Sequence, residues 1–251
     1  MILFSGKGIL LDIEGTTSSV SYVFDVLFPY AREHVTEFLS QQWDAPETQA
    51  ACEQIAKDAG APSLPEWVGE SFPTEARAKV VAEVHRLMDG DVKATGLKEL
   101  QGLIWKDGFL GGQLRSHVFD DVPDRLKTWN EKGLDVRIYS SGSITAQKLF
   151  FGHTEHGDLL SCFQGHYDTT TGPKKEAASY TKIAQAMDLP PNEILFCSDI
   201  VAELDAAKEA GFQTVLLLRP ENKPVEEGHG HRSVESFEEI HFSETGPTSS
   251  S

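Results

Sequence analysis

This 251-residue chain has little cysteine and, against its acid, little positive charge. Its three cysteines, Cys52, Cys162 and Cys197, are odd in number and widely spaced, with no C-x-x-C pair. That excludes a disulfide framework or a cysteine-based zinc site and fits a reducing compartment. Lys and Arg number 22 against 39 Asp and Glu, a net charge of −17, so the clustered cations that nucleic acid or an anionic membrane would need are missing. No apolar run reaches the ~20 residues of a membrane span, and the first run, near the N-terminus, is too short for a secretory signal and ends in acid. Neither G-x-x-x-x-G-K-[ST] nor G-x-G-x-x-G occurs, which weighs against nucleotide binding. What remains is ordinary globular composition, 39% hydrophobic and 24% charged. The length suits one large domain or a core with a lid. The expected location is the cytoplasm, with the nucleus left open, and the expected partner is a small molecule rather than nucleic acid or membrane. If that molecule is an anion, a metal ion and a few placed cations must reverse the field locally.

What the chain does have is Gly8-Ile9-Leu10-Leu11-Asp12-Ile13-Glu14-Gly15-Thr16-Thr17. A short apolar strand ends in two carboxylates one residue apart, so both leave on one side. Gly-Thr-Thr then breaks the strand and lets backbone approach a ligand. Carboxylates at the carboxyl end of a buried parallel strand lie where open α/β sheets bind ligands. One of them can serve as nucleophile and metal ligand, the other as acid or base. Alone, the stretch is matched equally well by a strand running into an acidic surface turn.

Residues 18 to about 116 read as helical, with patterns over 28–39, 47–58, 74–88 and 97–105. Breakers separate them at Gly60-Ala61-Pro62-Ser63-Leu64-Pro65, Phe72-Pro73, Asp89-Gly90-Asp91 and Gly111-Gly112, the last a candidate hinge. From Val118 the pattern alternates: helix 121–132, strand 134–139, helix 145–151, a polar loop through Gly157, Gly165 and Gly172, helix 175–187, strand 193–197, helix 202–210 and strand 213–218. Such alternation implies βαβ units. The expected fold is therefore α/β, a doubly wound Rossmann-like parallel sheet from residues 1–17 and 116–243 carrying an all-helical insertion over 18–115. The Ser-, Thr- and Pro-rich tail 244–251 is expected to be disordered.

Three further clusters are polar. Strand 134–139 runs into Ser140-Ser141-Gly142-Ser143 at a helix start, an anion site in the making or a plain Ser cap. Gly172-Pro173-Lys174-Lys175 opens another helix, and nothing local separates the two lysines. Strand 193–197 ends in Ser198-Asp199, with Glu203 and Asp205 beyond, where Asp199 can complete an oxygen-rich Mg²⁺ site and the other two can support it or only complement the helix dipole.

Each cluster is weak alone, but the order acid, Ser, Lys, acid on a βαβ chain is specific. The chain resembles the haloacid dehalogenase superfamily, whose four motifs follow this order. Within it, Asp12-Ile13-Glu14-Gly15-Thr16-Thr17, Tyr139-Ser140-Ser141-Gly142-Ser143, Gly172-Pro173-Lys174 and the helical insertion are similar to the enolase-phosphatases of methionine salvage. Gly102-Leu103-Ile104-Trp105 and Gln147–His153 add to the resemblance, which runs from about Gly8 to Pro220. It implies Asp12 as nucleophile and Mg²⁺ ligand, and Glu14 as metal ligand through side chain or backbone carbonyl and candidate acid/base. It further implies Ser140 and Ser141 as phosphate-binding, Lys174 as the catalytic and phosphate-binding lysine, Asp199 as the last metal ligand, and one Mg²⁺ per subunit of a monomer. The implied substrate is 2,3-diketo-5-methylthiopentyl-1-phosphate, enolised and then dephosphorylated, under a helical cap that excludes water. A general phosphatase of the superfamily, an inactive binding scaffold and a metal-free dehalogenase are the alternatives. His229-Gly230-His231 reads as a surface loop rather than a metal site, and His117, His153, His156 and His166 as local fold residues.

Overall fold

The computed structural model describes residues 1–69 and 72–242. The tail expected to be disordered, 244–251, lies outside them. The chain divides into two units, Met1–Tyr22 with Arg115–Ser251, and Val23–Leu114. The insertion thus begins at Val23 rather than at residue 18, because the intervening residues are tied to the first unit. Ser19 N–H donates to His117 Nδ1 at 3.2 Å and Tyr22 Oη to the Arg115 carbonyl at 2.8 Å.

The first unit is built on strands β1 (Ile2–Phe4), β2 (Gly8–Leu11), β3 (Asp135–Tyr139), β4 (Gly165–Tyr167), β5 (Ile194–Ser198), β6 (Gln213–Leu217), β7 (Arg232–Val234) and β8 (Ile240–Phe242). Six of them form a sheet in the order β4-β3-β2-β5-β6-β7, every pairing parallel. Strands β1 and β8 pair separately, also in parallel. β2 and β5 are buried along their whole length, as parallel strands covered on both faces must be. The connecting helices are α6 (Asp121–Glu131), α7 (Ile144–Gly152), α8 (Ala177–Met187) and α9 (Val201–Glu209). α8 and α9 pack Tyr180, Ile183, Leu204 and Ala207 onto Leu10, Phe196 and Leu216 of the sheet. The chain leaves β2 outward through β3 and β4, then crosses back to β5 and runs outward the other way. Right-handed crossovers in opposite directions put helices on both faces. They also put the topological switch point beside β2, where a ligand crevice opens. The register fixes what faces it: Leu11 lies level with Ile138 and with Cys197, so Asp12, Ser140 and Asp199 follow at the same edge.

Among the described residues the second unit is all helical: α1 (Phe28–Gln42), α2 (Pro46–Asp58), α3 (Leu64–Val68), α4 (Pro73–Asp89) and α5 (Thr95–Leu110). Four of these carry Pro in the first turn, where its missing N–H costs nothing. Val35, Leu39, Cys52, Ile55, Val80, Val84, Leu100 and Ile104 make a core of its own.

Several short elements depart from expectation. The polar loop around Gly165 contains β4, and the breaker at 60–65 starts the one-turn helix α3, whose Ser63 side chain accepts Glu66 N–H. A π-helix, Tyr22–Leu27, precedes α1. Three-residue strands such as β1, β4, β7 and β8 are too short to show a period and depend on their partners for existence.

Candidate active site

β2 delivers Asp12 to the carboxyl edge of the sheet, and the turn after it is fixed by backbone. The Ile13 carbonyl accepts from the N–H groups of Thr16, Thr17 and Ser18, and Gly15 N–H donates to the Ser18 carbonyl at 2.8 Å. Gly15 adopts φ +68°, and a Cβ there would collide with the Asp199 carboxylate and come within 2.8 Å of Asn222 Oδ1. Only glycine fits. Asn222 donates to the Gly15 carbonyl at 2.9 Å and Arg219 Nε to the Thr16 carbonyl at 3.0 Å, so the end of β6 holds the loop from behind.

Asp12 is buried. Its Oδ1 accepts Ile13 N–H at 2.8 Å and lies 2.7 Å from Lys174 Nζ. The same ammonium lies 2.7 Å from Glu203 Oε2, so Lys174 bridges two buried carboxylates. Ser198 Oγ joins the network, 3.1 Å from Glu203 Oε2 and 3.4 Å from Asp12 Oδ2. Burial disfavours the Lys174 ammonium, but the charges of Asp12 and Glu203 more than offset this and its pKa is pushed up to about 12. Glu203 is raised by burial and by Asp12, against the pull of Lys174.

Asp12, Glu14, Ser140, Ser141, Lys174, Asp199 and Glu203 all line one cleft of about 790 Å³. Its wall continues through Ile200 and Val201 and through the segment from Lys223 to His229. Every residue expected to act therefore faces the same space. Lys174 is turned inward while Lys175 is exposed, which separates the two lysines that sequence could not. Ser140 is buried with its Oγ accepting Gly142 N–H at 3.3 Å, and Ser143 caps α7 through Ala146 N–H.

Asp199 and Glu14 have no ion-pair partner among the described residues. Asp199 is pushed up to about 7, by burial first and the Asp12 charge second. Glu14 has an exposed surface, yet crowding by the cleft walls and then the charge of Asp12 raise its pKa, with Lys174 opposing. Four carboxylates thus meet one buried ammonium, an arrangement short of positive charge. Among the described residues, no group of three or more His, Cys, Asp or Glu is arranged to hold a metal ion unaided. The expected trio Asp12, Glu14 and Asp199 is therefore no closed cage. Mg²⁺ does not require one, since it keeps several waters and takes one or two carboxylates with ligand oxygens. The donor set and the charge deficit fit that ion.

Two polar residues go elsewhere. Asp205 receives His231 Nε2 at 3.0 Å instead of supporting the cleft, and the His231 side chain is fully buried, with Nδ1 2.8 Å from Thr214 Oγ1. His231 is thus a packing residue at the start of β7, not part of a loose surface loop. Sequence reasoning missed Ser198, Arg219 and Asn222. Ser198 had a signal in its place between the strand end and Asp199; the other two had none.

A family model for haloacid dehalogenase-like hydrolases matches residues 7–211. The curated enolase-phosphatase E1 of Synechococcus elongatus is 47% identical over 236 residues, 92% of this chain and 96% of that protein. That of Pseudomonas aeruginosa is 48% identical over 235 residues, covering 93% and 97%. The chain belongs to the haloacid dehalogenase-like hydrolases, in the enolase-phosphatase E1 family. Among solved structures, the UTR4 protein of Saccharomyces cerevisiae is similar to this enolase-phosphatase family member with a TM-score of 0.76 and 34% identity, covering 93% of this chain and 99% of that one. Among the described residues, no helix of this hydrolase is long and apolar enough to cross a membrane.

Proposed function

We propose that this chain converts 2,3-diketo-5-methylthiopentyl-1-phosphate to the acireductone and inorganic phosphate, by enolisation followed by hydrolysis of the phosphate ester. The family assignment supports the reaction, and one observation carries the assignment of residues: Asp12 and Lys174 meet at 2.7 Å in a cleft also lined by Ser140, Ser141, Glu14 and Asp199. Asp12 is the nucleophile. Its Oδ1 is engaged by Lys174 and Ile13 N–H, which leaves Oδ2, held only by the long contact from Ser198, as the attacking oxygen. Lys174, Ser140 and Ser141 hold the phosphate, whose charge developing in transfer is met by an ammonium and by hydroxyls already in place. Asp12, Asp199 and the side chain or main-chain carbonyl of Glu14 would hold one Mg²⁺ per subunit, which supplies charge neutralisation for the phosphate and polarises a carbonyl for enolisation. Glu14, with a raised pKa and no ion-pair partner, takes the proton in enolisation and moves a proton in the hydrolytic half. The enzyme works as a cytoplasmic monomer.

The test of Asp12 is chemical trapping. Borohydride reduction of a turning-over sample should convert residue 12 to homoserine, seen by peptide mass spectrometry; homoserine at another position, or none, would contradict the assignment.

A further inference from the structure

The segment Gly172-Pro173-Lys174 has three consecutive backbone carbonyls, and each accepts a side-chain hydroxyl from the buried core. Tyr139 Oη donates to the Gly172 carbonyl at 2.8 Å, Ser179 Oγ to the Pro173 carbonyl at 2.8 Å and Tyr180 Oη to the Lys174 carbonyl at 2.7 Å. Tyr139 and Tyr180 are both 0% exposed and Ser179 2%. The two tyrosine rings pack edge to face with centroids 5.5 Å apart, so they brace each other. Lys174 Nζ lies 5.8 Å from the centre of the Tyr139 ring, within reach of a cation–π attraction. Gly172 fits against Ser179 so closely that a Cβ there would collide with Ser179 Oγ. None of the three hydroxyl-bearing residues lines the cleft.

From this geometry we propose that Tyr139, Ser179 and Tyr180 are positioning residues that aim the Lys174 ammonium. A lysine side chain has a flexible four-carbon stem and loses entropy when held in one place. Here the backbone at its root is held at the two preceding residues and at the residue itself. The ammonium is thereby set where Asp12 and Glu203 receive it, and the phosphate-binding cation needs little reorganisation during turnover. Tyr139 is the residue before Ser140, so one side chain links the strand end that carries the phosphate-binding serines to the loop that carries the lysine. The inference rests on the proposed role of Lys174 in holding phosphate.

The test is a double-mutant cycle in the full chain with Mg²⁺, using Y139F, S179A and Y180F, each alone and combined with K174A. The readouts are kcat, KM and the affinity for inorganic phosphate. Each deletion removes a side-chain donor from one of the three carbonyls, that of Pro173 keeping the Glu176 N–H at 3.2 Å; the loss expected in kcat is roughly tenfold for Y139F and Y180F and about threefold for S179A, with phosphate affinity falling in parallel. A merely structural role would lower stability and act on any background. A positioning role loses its effect once Lys174 is gone, so in K174A the same deletions should change phosphate affinity and residual kcat by less than about twofold. Losses that persist in full in K174A, or no loss in the single variants, would overturn the proposal. Because a tyrosine variant can fail to fold, a melting curve is taken for each, and S179A, which leaves both tyrosines in place, keeps the proposal falsifiable. If K174A alone retains wild-type turnover and phosphate affinity, the reading of Lys174 is wrong and this proposal falls with it.

Discussion

Replacing Lys174 with Met keeps most of the stem and removes the charge that two buried carboxylates share. Asp12 Oδ1 and Glu203 Oε2 each lie 2.7 Å from the ammonium. At an effective dielectric constant of 20, each bare attraction amounts to about 6 kcal/mol, most of it cancelled by the cost of burying the charges. Breaking such a buried pair by removing one partner costs about 3–5 kcal/mol, because the remaining charges are left uncompensated. Glu203 can escape by taking a proton. Its carboxyl titrates at 4.5 without its surroundings and is raised by burial and by Asp12, and losing Lys174 removes the opposing pull. The folded variant therefore holds a proton that the unfolded chain releases, so its stability falls as pH climbs above 4.5 toward the raised value. Keeping Glu203 protonated therefore costs more at pH 8 than at pH 5. Calorimetric melting of wild type and Lys174→Met in EDTA at both pH values checks this. The variant should melt roughly 6–20 °C below wild type at pH 8, and by clearly less at pH 5. A deficit equal at both pH values, or below about 2 °C at pH 8, would refute the buried bridge.

Three further outcomes follow from the same geometry. Asp199, pushed up to about 7 from 3.8, makes the metal-free protein lose stability as pH rises across that interval, so Mg²⁺ should raise the melting temperature more at pH 8 than at pH 5.5; equal shifts would contradict this. Gly15→Ala must hold a left-handed conformation and push Asp199 aside, which should cost about 1–3 kcal/mol and weaken Mg²⁺ binding measured by titration calorimetry; a variant matching wild type in both would contradict the close approach. Lys175→Ala should keep turnover within about twofold, since an exposed lysine of this kind contributes little, and a severe loss in phosphate release would shift the motif by one residue.

The strand ends were the legible part of this molecule. Leu10 and Leu11, and Phe196 and Cys197, announce buried strands by unbroken apolar character, and Val136, Ile138 and Tyr139 do so between Asp135 and Arg137; a buried strand must surface somewhere, so the polar residues that follow it mark the edge of the sheet. Asp12, Ser140 and Asp199 are legible in the sequence in that way. Lys174 could not be told from Lys175, because the choice depends on a loop conformation held by Tyr139 from a distant strand and by Ser179 and Tyr180 of the helix that follows. The tie between Asn222 and Gly15 spans most of the sequence and leaves no local pattern. His231 looked like a loop residue beside Gly230, and only the approach of Thr214 and Asp205 buries it. Helices α1, α2, α4 and α5 were legible by period, the first three also by proline at their starts, whereas α3 and the π-helix Tyr22–Leu27 are too short or too irregular to carry one.

The most direct test of the whole account is phosphate release from 2,3-diketo-5-methylthiopentyl-1-phosphate, followed together with ultraviolet absorbance for the enol, with Mg²⁺ and with EDTA. Phosphate release should require Mg²⁺ and be accompanied by an enol band. Release from generic phosphate esters with no turnover of this substrate, or turnover unchanged in EDTA, would contradict it.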